Sequence, residues 1–437
     1  MTVTIKTERG SNAAENEPVS SPGAPVFRFQ GTWKEQNTEF SMDQEAVSRH
    51  ALLLGGTGSG KTNLMFKIVD QAIRGMREND VMIVFDSKGD YYQQFGGSSN
   101  ALLLGNSSEY AGKTQKWNLF REILADGPDR DVCRLNAMEI ARSLFAQRLR
   151  NTTNAFFPSA AQDVFASLLV SICRDAETDE SVRAALNNRD LAYYLQSSGP
   201  ETLCEQLSAY DDLGAATSYI EGGSEQAQGV LSEMYSVIRN VLIGVFAGRG
   251  SFSIRRFIRG RGKKLLFIEY DLAIGGILTP IYRLLIDLAL KEALSQHSRG
   301  GSVYLILDEF KLLPHLEHIE DAVNFGRSKG VKVFAGLQSI EQLYDLYGQS
   351  KGRSIAAGFS SVFAFKANDE ATMKYIRGLY GRSLVSVEII SADKKIYPSV
   401  QSGFVVEDWV LGGLGLGDAV VSLPSVPPFV FHFDRFR

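Results

Sequence analysis

Hydrophobic positions along this chain fall into two textures. Short, predominantly apolar runs recur at 50–54, 81–85, Lys264–Glu269, Val303–Leu307, 331–335 and Ser361–Phe365, with a further run at 419–423. Runs of this length without alternation predict strands buried on both faces of a parallel sheet. Between several of them, apolar residues repeat at three- and four-residue spacing, which predicts helices over 63–73, over 277–296 and through Phe325. From about 129 to 247 the strand-like runs nearly disappear. Leu135, Met138, Ile140 and Leu144, then Val164, Leu168, Leu169 and Ile172, keep helical spacing throughout. The pattern therefore predicts an α/β domain over 28–128 and 248–437, interrupted by an all-α insertion domain at 129–247. Scattered aromatics over 26–48 predict strands leading into the core. Residues 1–27, rich in Ser, Glu, Asn, Pro and Ala, have little to bury and are expected to form a mobile tail. No internal repeat is visible.

Composition narrows the function classes. Among 437 residues, 44% are hydrophobic and 22% charged, which is ordinary for a globular protein. The net charge of −4 argues against coating DNA through overall charge, while leaving room for a local basic surface. Cys133, Cys173 and Cys204 match no zinc spacing and fit reduced thiols of a cytoplasmic protein. His315 and His318 lack a third ligand nearby. The best bilayer-spanning candidate, 277–290, is interrupted by Arg283 and Asp287 and falls short of about 20 residues, so no membrane span is expected.

Three motifs carry chemistry. Gly55-Gly56-Thr57-Gly58-Ser59-Gly60-Lys61-Thr62 fits the phosphate-loop pattern at every fixed position, between a buried strand and a helix. Its backbone N–H groups can cradle the phosphates of ATP, Lys61 can bridge the β- and γ-phosphates, and the Thr62 hydroxyl can ligate Mg²⁺. A second apolar strand ends in Asp308-Glu309, which suits a carboxylate for the Mg²⁺ shell (Asp308) and one that polarises the attacking water (Glu309). Alone, such a pair also fits a solvated strand end. Gln338, ending the run from Val331, could sense the γ-phosphate. Arg327, just before that run, could neutralise charge in a neighbouring subunit's site, although taken alone it fits a surface loop better.

These motifs, together with Asp86-Ser87-Lys88-Gly89-Asp90, Trp117-Asn118-Leu119-Phe120, Gly326-Arg327 and Gln338-Ser339…Gln342-Leu343…Tyr347-Gly348, stand in an order that resembles the coupling proteins of conjugative type IV secretion. That TraD/TraG group belongs with the HerA/FtsK pumping ATPases. The resemblance runs from about Ser48 to the C-terminus, with Asn154-Ala155-Phe156-Phe157 and the helix after it similar to that family's all-α domain. It implies a RecA-like fold with a mostly parallel central sheet. It also implies an ATPase that closes into a homohexamer when active, with DNA, single-stranded DNA favoured, drawn through the channel; a monomer at rest stays open. By position Lys61 and Thr62 carry over as the Walker A pair, Asp308 and Glu309 as Walker B, Gln338 as the sensor and Arg327 as the trans-acting arginine. Asp86 and Lys88 receive no individual role. The family's usual N-terminal membrane helices are not seen, so a separate membrane-protein partner is expected if the motor works at the inner face of the membrane, alongside relaxase or secretion-channel components. A HerA/FtsK-type pump in DNA processing or defence, or a non-motor adaptor that recruits secreted substrates, remain alternatives.

One basic run is left over. Arg249, Arg255, Arg256, Arg259, Arg261, Lys263 and Lys264, interleaved with Phe252 and Phe257, could track a phosphate backbone, or could form a solvated face or a subunit contact.

Overall fold

The computed structural model describes residues 2–295, 300–390 and 396–436. Two compact units form, residues 1–85 with 300–437, and residues 86–299. The described strands are β1 (Thr2–Arg9), β2 (Pro25–Trp33), β3 (Gln36–Asp43), β4 (Ala51–Leu54), β5 (Val81–Asp86), β6 (Ala101–Leu104), β7 (Lys264–Glu269), β8 (Val303–Leu307), β9 (Val331–Leu337), β10 (Ser361–Phe365), β11 (Arg382–Ile390), β12 (Ile396–Phe404), β13 (Asp418–Ser422) and β14 (Phe429–Phe433).

In the first unit the main sheet runs β3-β2-β14-β13-β10-β4-β9-β8-β5. The five strands from β10 to β5 are parallel, and the others pair antiparallel. Every residue of β4, β8, β9 and β10 is buried, which is why these strands read as apolar runs, broken only by Lys332 in β9 and Ser361 at the start of β10. The register sets Leu54 beside Leu337 and Leu307 beside Ala335, so the ends of β4, β8 and β9 finish together. His50 locks the opposite end. Its Nδ1 accepts the Val333 N–H at 3.0 Å, and burial pulls its pKa down to about 4, keeping it a neutral acceptor.

The expected mobile tail over 1–27 is corrected. β1 pairs antiparallel with β11 in a separate three-stranded sheet that β12 completes, Ala13 is buried, and its N–H bonds to the Val405 carbonyl at 2.9 Å. The segment is polar by composition, yet its backbone groups find partners in a ladder that the composition does not reveal.

In the second unit β6 and β7 pair in parallel and the rest is helical, including Arg130–Arg150, Phe156–Thr178, Glu225–Val241 and Gly275–Leu294. The last of these was expected over 277–296; residue 296 lies outside the described residues. The unit begins and ends well outside the expected 129–247, because β6, β7 and the segment around Trp117 pack with the helices. Trp117 is fully buried and its indole N–H donates to Glu122 Oε1 at 2.9 Å. Glu122 also accepts from Ser253 Oγ at 2.8 Å and from the Ile254 N–H at 2.6 Å. The Asn118 amide donates to the carbonyls of Leu186 and Gly250, and that of Asn188 to those of Trp117 and Phe246. The Trp117 motif is a buried polar hub tying distant segments of this unit together.

Two further expectations change. Helix Phe156–Thr178 is long and apolar enough, by length and composition, to cross a membrane, contrary to the reading that no segment was; 61% of its apolar window is buried, with Phe145 and Phe165 in contact at 6.0 Å. Much of the basic run is turned inward. Arg255 pairs with Glu139 at 2.6 Å, Arg259 with Glu292 at 2.7 Å and with Asp126 at 2.6 Å, and Arg249 with Asp190 at 3.0 Å. Arg255 and Arg261 are buried. For Arg255 and Arg259 the positive charge joins helical segments within the unit and does not form an open track for a phosphate backbone, whereas the Arg249 side chain stays 68% exposed beside Asp190.

Candidate nucleotide and metal site

The phosphate-loop residues sit between the end of β4 and the helix Lys61–Gly75. Gly58 and Gly60 hold φ of 74° and 118°, in the left-handed region that glycine tolerates. The loop is braced by its neighbours. The Gly55 N–H bonds to the Leu337 carbonyl at 3.2 Å, the Gly56 N–H to that of Lys366 at 3.1 Å, and the Gly417 N–H to that of Ser59 at 3.1 Å. A Cβ on Gly55 would stand 2.6 Å from Phe365, and one on Gly60 3.2 Å from Gly417. By contrast, nothing lies within 4 Å of where a Cβ on Gly58 would stand, and Thr57 and Gly58 are exposed. The loop is tight where it meets the protein and open where an anion would approach.

Lys61 is buried, and its ammonium donates to the carbonyls of Gly55 and, at 3.0 Å, Gly56. The Thr62 hydroxyl is 3.4 and 3.3 Å from the two carboxylate oxygens of Asp308. Ser59 Oγ is buried without a hydrogen-bond partner among the described residues. A hydroxyl facing a carboxylate, beside a glycine turn and a lysine, is a hard-oxygen donor set that fits Mg²⁺ held against phosphate oxygens.

Glu309 follows Asp308 directly, and the Gln338 amide lies 3.4 and 3.2 Å from its two oxygens. Lys311 Nζ is 3.8 Å from the same carboxylate. Gln338 is itself fixed, its N–H donating to the Gln342 side chain at 3.1 Å. The fold thus brings Gly55 to Gly60, Lys61, Thr62, Asp308, Glu309 and Gln338 to one end of the parallel sheet.

Arg327 is not among them. It lies in the turn Gly326–Lys329 at the start of β9, while Gln338 follows the end of that strand. Seven strand residues at about 3.3 Å each separate the two by roughly 20 Å. On that surface Arg327 pairs with Glu45. Asp86, given no role in advance, proves to be a buried turn former in the second unit. Its carboxylate accepts the N–H groups of Gly89 and Tyr92 at 2.9 Å, and burial pushes its pKa up against those bonds. Lys88 is exposed.

Sequence reasoning passed over Gly336 and Gly417. A Cβ on Gly336 would lie 2.2 Å from the Asp308 carbonyl oxygen, so β9 approaches the acidic pair more closely than any side chain allows. A glycine inside a buried strand is the signal that could have found it. Gly417, in a late loop, carries no such mark.

Comparison with known proteins finds relatives of this chain. Residues 36–394 match the family described as the type IV secretion-system coupling protein DNA-binding domain. The chain is 21% identical over 338 residues to the coupling protein TraD of Escherichia coli (strain K12), covering 75% of this chain and 43% of that protein. It therefore spans less than half the length of this curated relative. Among solved structures it is similar to the unbound form of the bacterial conjugative coupling protein TrwBdeltaN70, at 22% identity and a TM-score of 0.69, over 91% of this chain and 87% of that one. The plasmid coupling protein TrwB in complex with ADP and Mg²⁺ gives 22% identity and a TM-score of 0.68, over 91% and 88%. At such identity the likeness establishes the fold, the RecA-like α/β architecture with a helical module expected above. With the family match extending over most of its length, this chain belongs to the type IV secretion coupling proteins.

Proposed function

We propose that this chain is an ATP-hydrolysing motor that moves DNA, single-stranded DNA favoured, through a homohexameric ring in conjugative transfer. The observation that carries the reading is the Thr62–Asp308 pair set against the Lys61 loop, with Glu309 and Gln338 in contact beside it. In this role the Lys61 ammonium exchanges the Gly55 and Gly56 carbonyls for β- and γ-phosphate oxygens, and the loop N–H groups with the helix Lys61–Gly75 hold the remaining charge. Thr62 and Asp308 would hold Mg²⁺, which supplies neutralisation of the phosphate charge when bound. Glu309 orients water for in-line attack, and Gln338, bonded to Glu309, links that carboxylate to the end of β9. Arg327, about 20 Å from its own chain's site, would serve the neighbouring subunit's site in a ring. A separate membrane-protein partner and contacts with relaxase or secretion-channel components, from the cytoplasmic face, complete the proposal. The TrwB structure with ADP and Mg²⁺ supports the nucleotide assignment by analogy of fold.

The test is the ATPase rate of the full chain with and without single- and double-stranded DNA, with assembly followed in parallel. Stimulation by DNA that Lys61→Ala abolishes is the expected result. Hydrolysis indifferent to DNA would indicate an adaptor, and wild-type hydrolysis in Lys61→Ala would remove the site assignment.

A further inference from the structure

We propose that Glu45 is a positioning residue that presents Arg327 to the adjoining subunit; this rests on the trans role of Arg327 given above. The short helix Gln44–Ser48 that carries Glu45 is held from both sides of its cap. Asp43 Oδ1 accepts the Ala46 N–H at 2.8 Å, and Asp43 Oδ2 accepts the Gly23 N–H at 2.9 Å. Asp43 and Ala46 are buried, so the platform is anchored although Glu45 itself is exposed.

The Glu45 carboxylate is divided between two guanidinium groups. Arg49 takes Oε1 through Nε at 2.8 Å, and one terminal nitrogen of Arg327 bonds to Oε2. Because Arg49 lies four residues on, at the C-cap of the same helix, it pins one oxygen and leaves the other directed at Arg327. The Arg327 backbone is fixed independently. Its carbonyl accepts the Gly330 N–H at 3.1 Å, and Ser328 Oγ donates to the Phe325 carbonyl at 3.1 Å. What remains to be ordered is the Arg327 side chain, 48% exposed, on a long and flexible stem. A guanidinium has five N–H donors in a rigid fork. One can stay on Glu45 while others reach a phosphate, so the carboxylate can orient the group without removing it from use. Holding a charged group in its working geometry accelerates a reaction through the entropy it removes in advance, and displacement by about 1 Å costs on the order of a hundredfold.

The experiment measures steady-state ATPase of the full chain against ATP concentration, at protein concentrations where rings are shown to form by light scattering. Glu45→Ala is expected to lower kcat by about tenfold with KM for ATP unchanged. Glu45→Asp, which keeps the charge on a shorter stem, should recover part of that rate. Added to Arg327→Ala, the Glu45→Ala change should cause no further loss. Wild-type kcat in Glu45→Ala overturns the proposal, as does an equal fold loss in the Arg327→Ala background. Failure of Glu45→Ala rings to assemble, where Arg327→Ala rings do, also overturns it, because the carboxylate would then be joining subunits. A wild-type rate in assembled Arg327→Ala rings is a separate outcome that removes the trans arginine itself.

Discussion

Replacing Gly336 with alanine tests how closely the acidic pair depends on its neighbouring strand. The added Cβ would stand 2.2 Å from the Asp308 carbonyl oxygen and 3.1 Å from its carbonyl carbon, and both are backbone atoms that cannot rotate aside. Reaching an ordinary contact requires β8 and β9 to part by about 1 Å at this point, an overpacking of the kind that costs about 1–3 kcal/mol. In a unit of this size that loss lowers the melting temperature by roughly 2–12 °C. The same shift carries Asp308 away from Thr62, and a displacement of about 1 Å in a reacting assembly lowers turnover on the order of a hundredfold. Thermal melting followed by tryptophan fluorescence reads the first effect, and kcat at saturating ATP reads the second. A melting temperature within about a degree of wild type, with an unchanged kcat, would refute the claim that this glycine sets the spacing of the two strands.

Glu309→Gln should retain nucleotide binding while lowering kcat by about 10²–10⁴, because the amide still contacts Gln338 but cannot polarise water; equilibrium binding of a fluorescent ATP analogue beside the hydrolysis rate checks both halves. Lys332 offers a pH prediction. It is buried on β9 with Nζ 3.1 Å from the Tyr304 hydroxyl, and burial pushes its pKa down to about 8. The unfolded chain keeps that proton up to about pH 10.4, so it binds more protons than the folded chain between the two values and stability rises with pH from about 8 to 10. Tyr304, pushed up to about 12 by burial, stays protonated over that window. Below pH 8 the buried ammonium costs about 3 kcal/mol. Lys332→Met should therefore raise the melting temperature at pH 7 and flatten its climb between pH 7 and 10, and an equally steep climb in the variant would count against the assignment.

The parallel core was legible because its strands are buried on both faces, so burial writes itself into the sequence as runs such as Leu52-Leu53-Leu54 and Val303–Leu307. The site was legible for a related reason. A phosphate cradle needs glycines at fixed spacing before a helix, and an acid pair closing another strand of the same parallel sheet, one strand removed, ends at the same edge. What escaped was pairing between distant segments. β1 carries Val3 and Ile5 in a short alternation that a polar composition hides, and its partner β11 lies almost 400 residues away, as the Thr2–Ile390 register shows. The basic run misled in the opposite direction. Arg255 and Arg259 look like a surface track until Asp126, Glu139 and Glu292 arrive from other helices to neutralise them. Local spacing reports what the chain does to itself nearby, whereas charge balance and sheet edges are settled by whichever segment comes back.

The two-sided bonding of β9 has a mechanical consequence. Strand β8 holds Val331 to Ala335 and β4 holds Phe334 to Leu337, so between them every residue of β9 is paired and the strand resists stretching and buckling as a push-rod does. Gln338 sits at one tip and the Arg327 turn at the other. If Gln338 moves when a terminal phosphate departs, such a strand would pass part of that motion to the second tip. In a closed ring this would let each subunit's chemistry set the timing of the next, with a single rigid element serving as the clockwork.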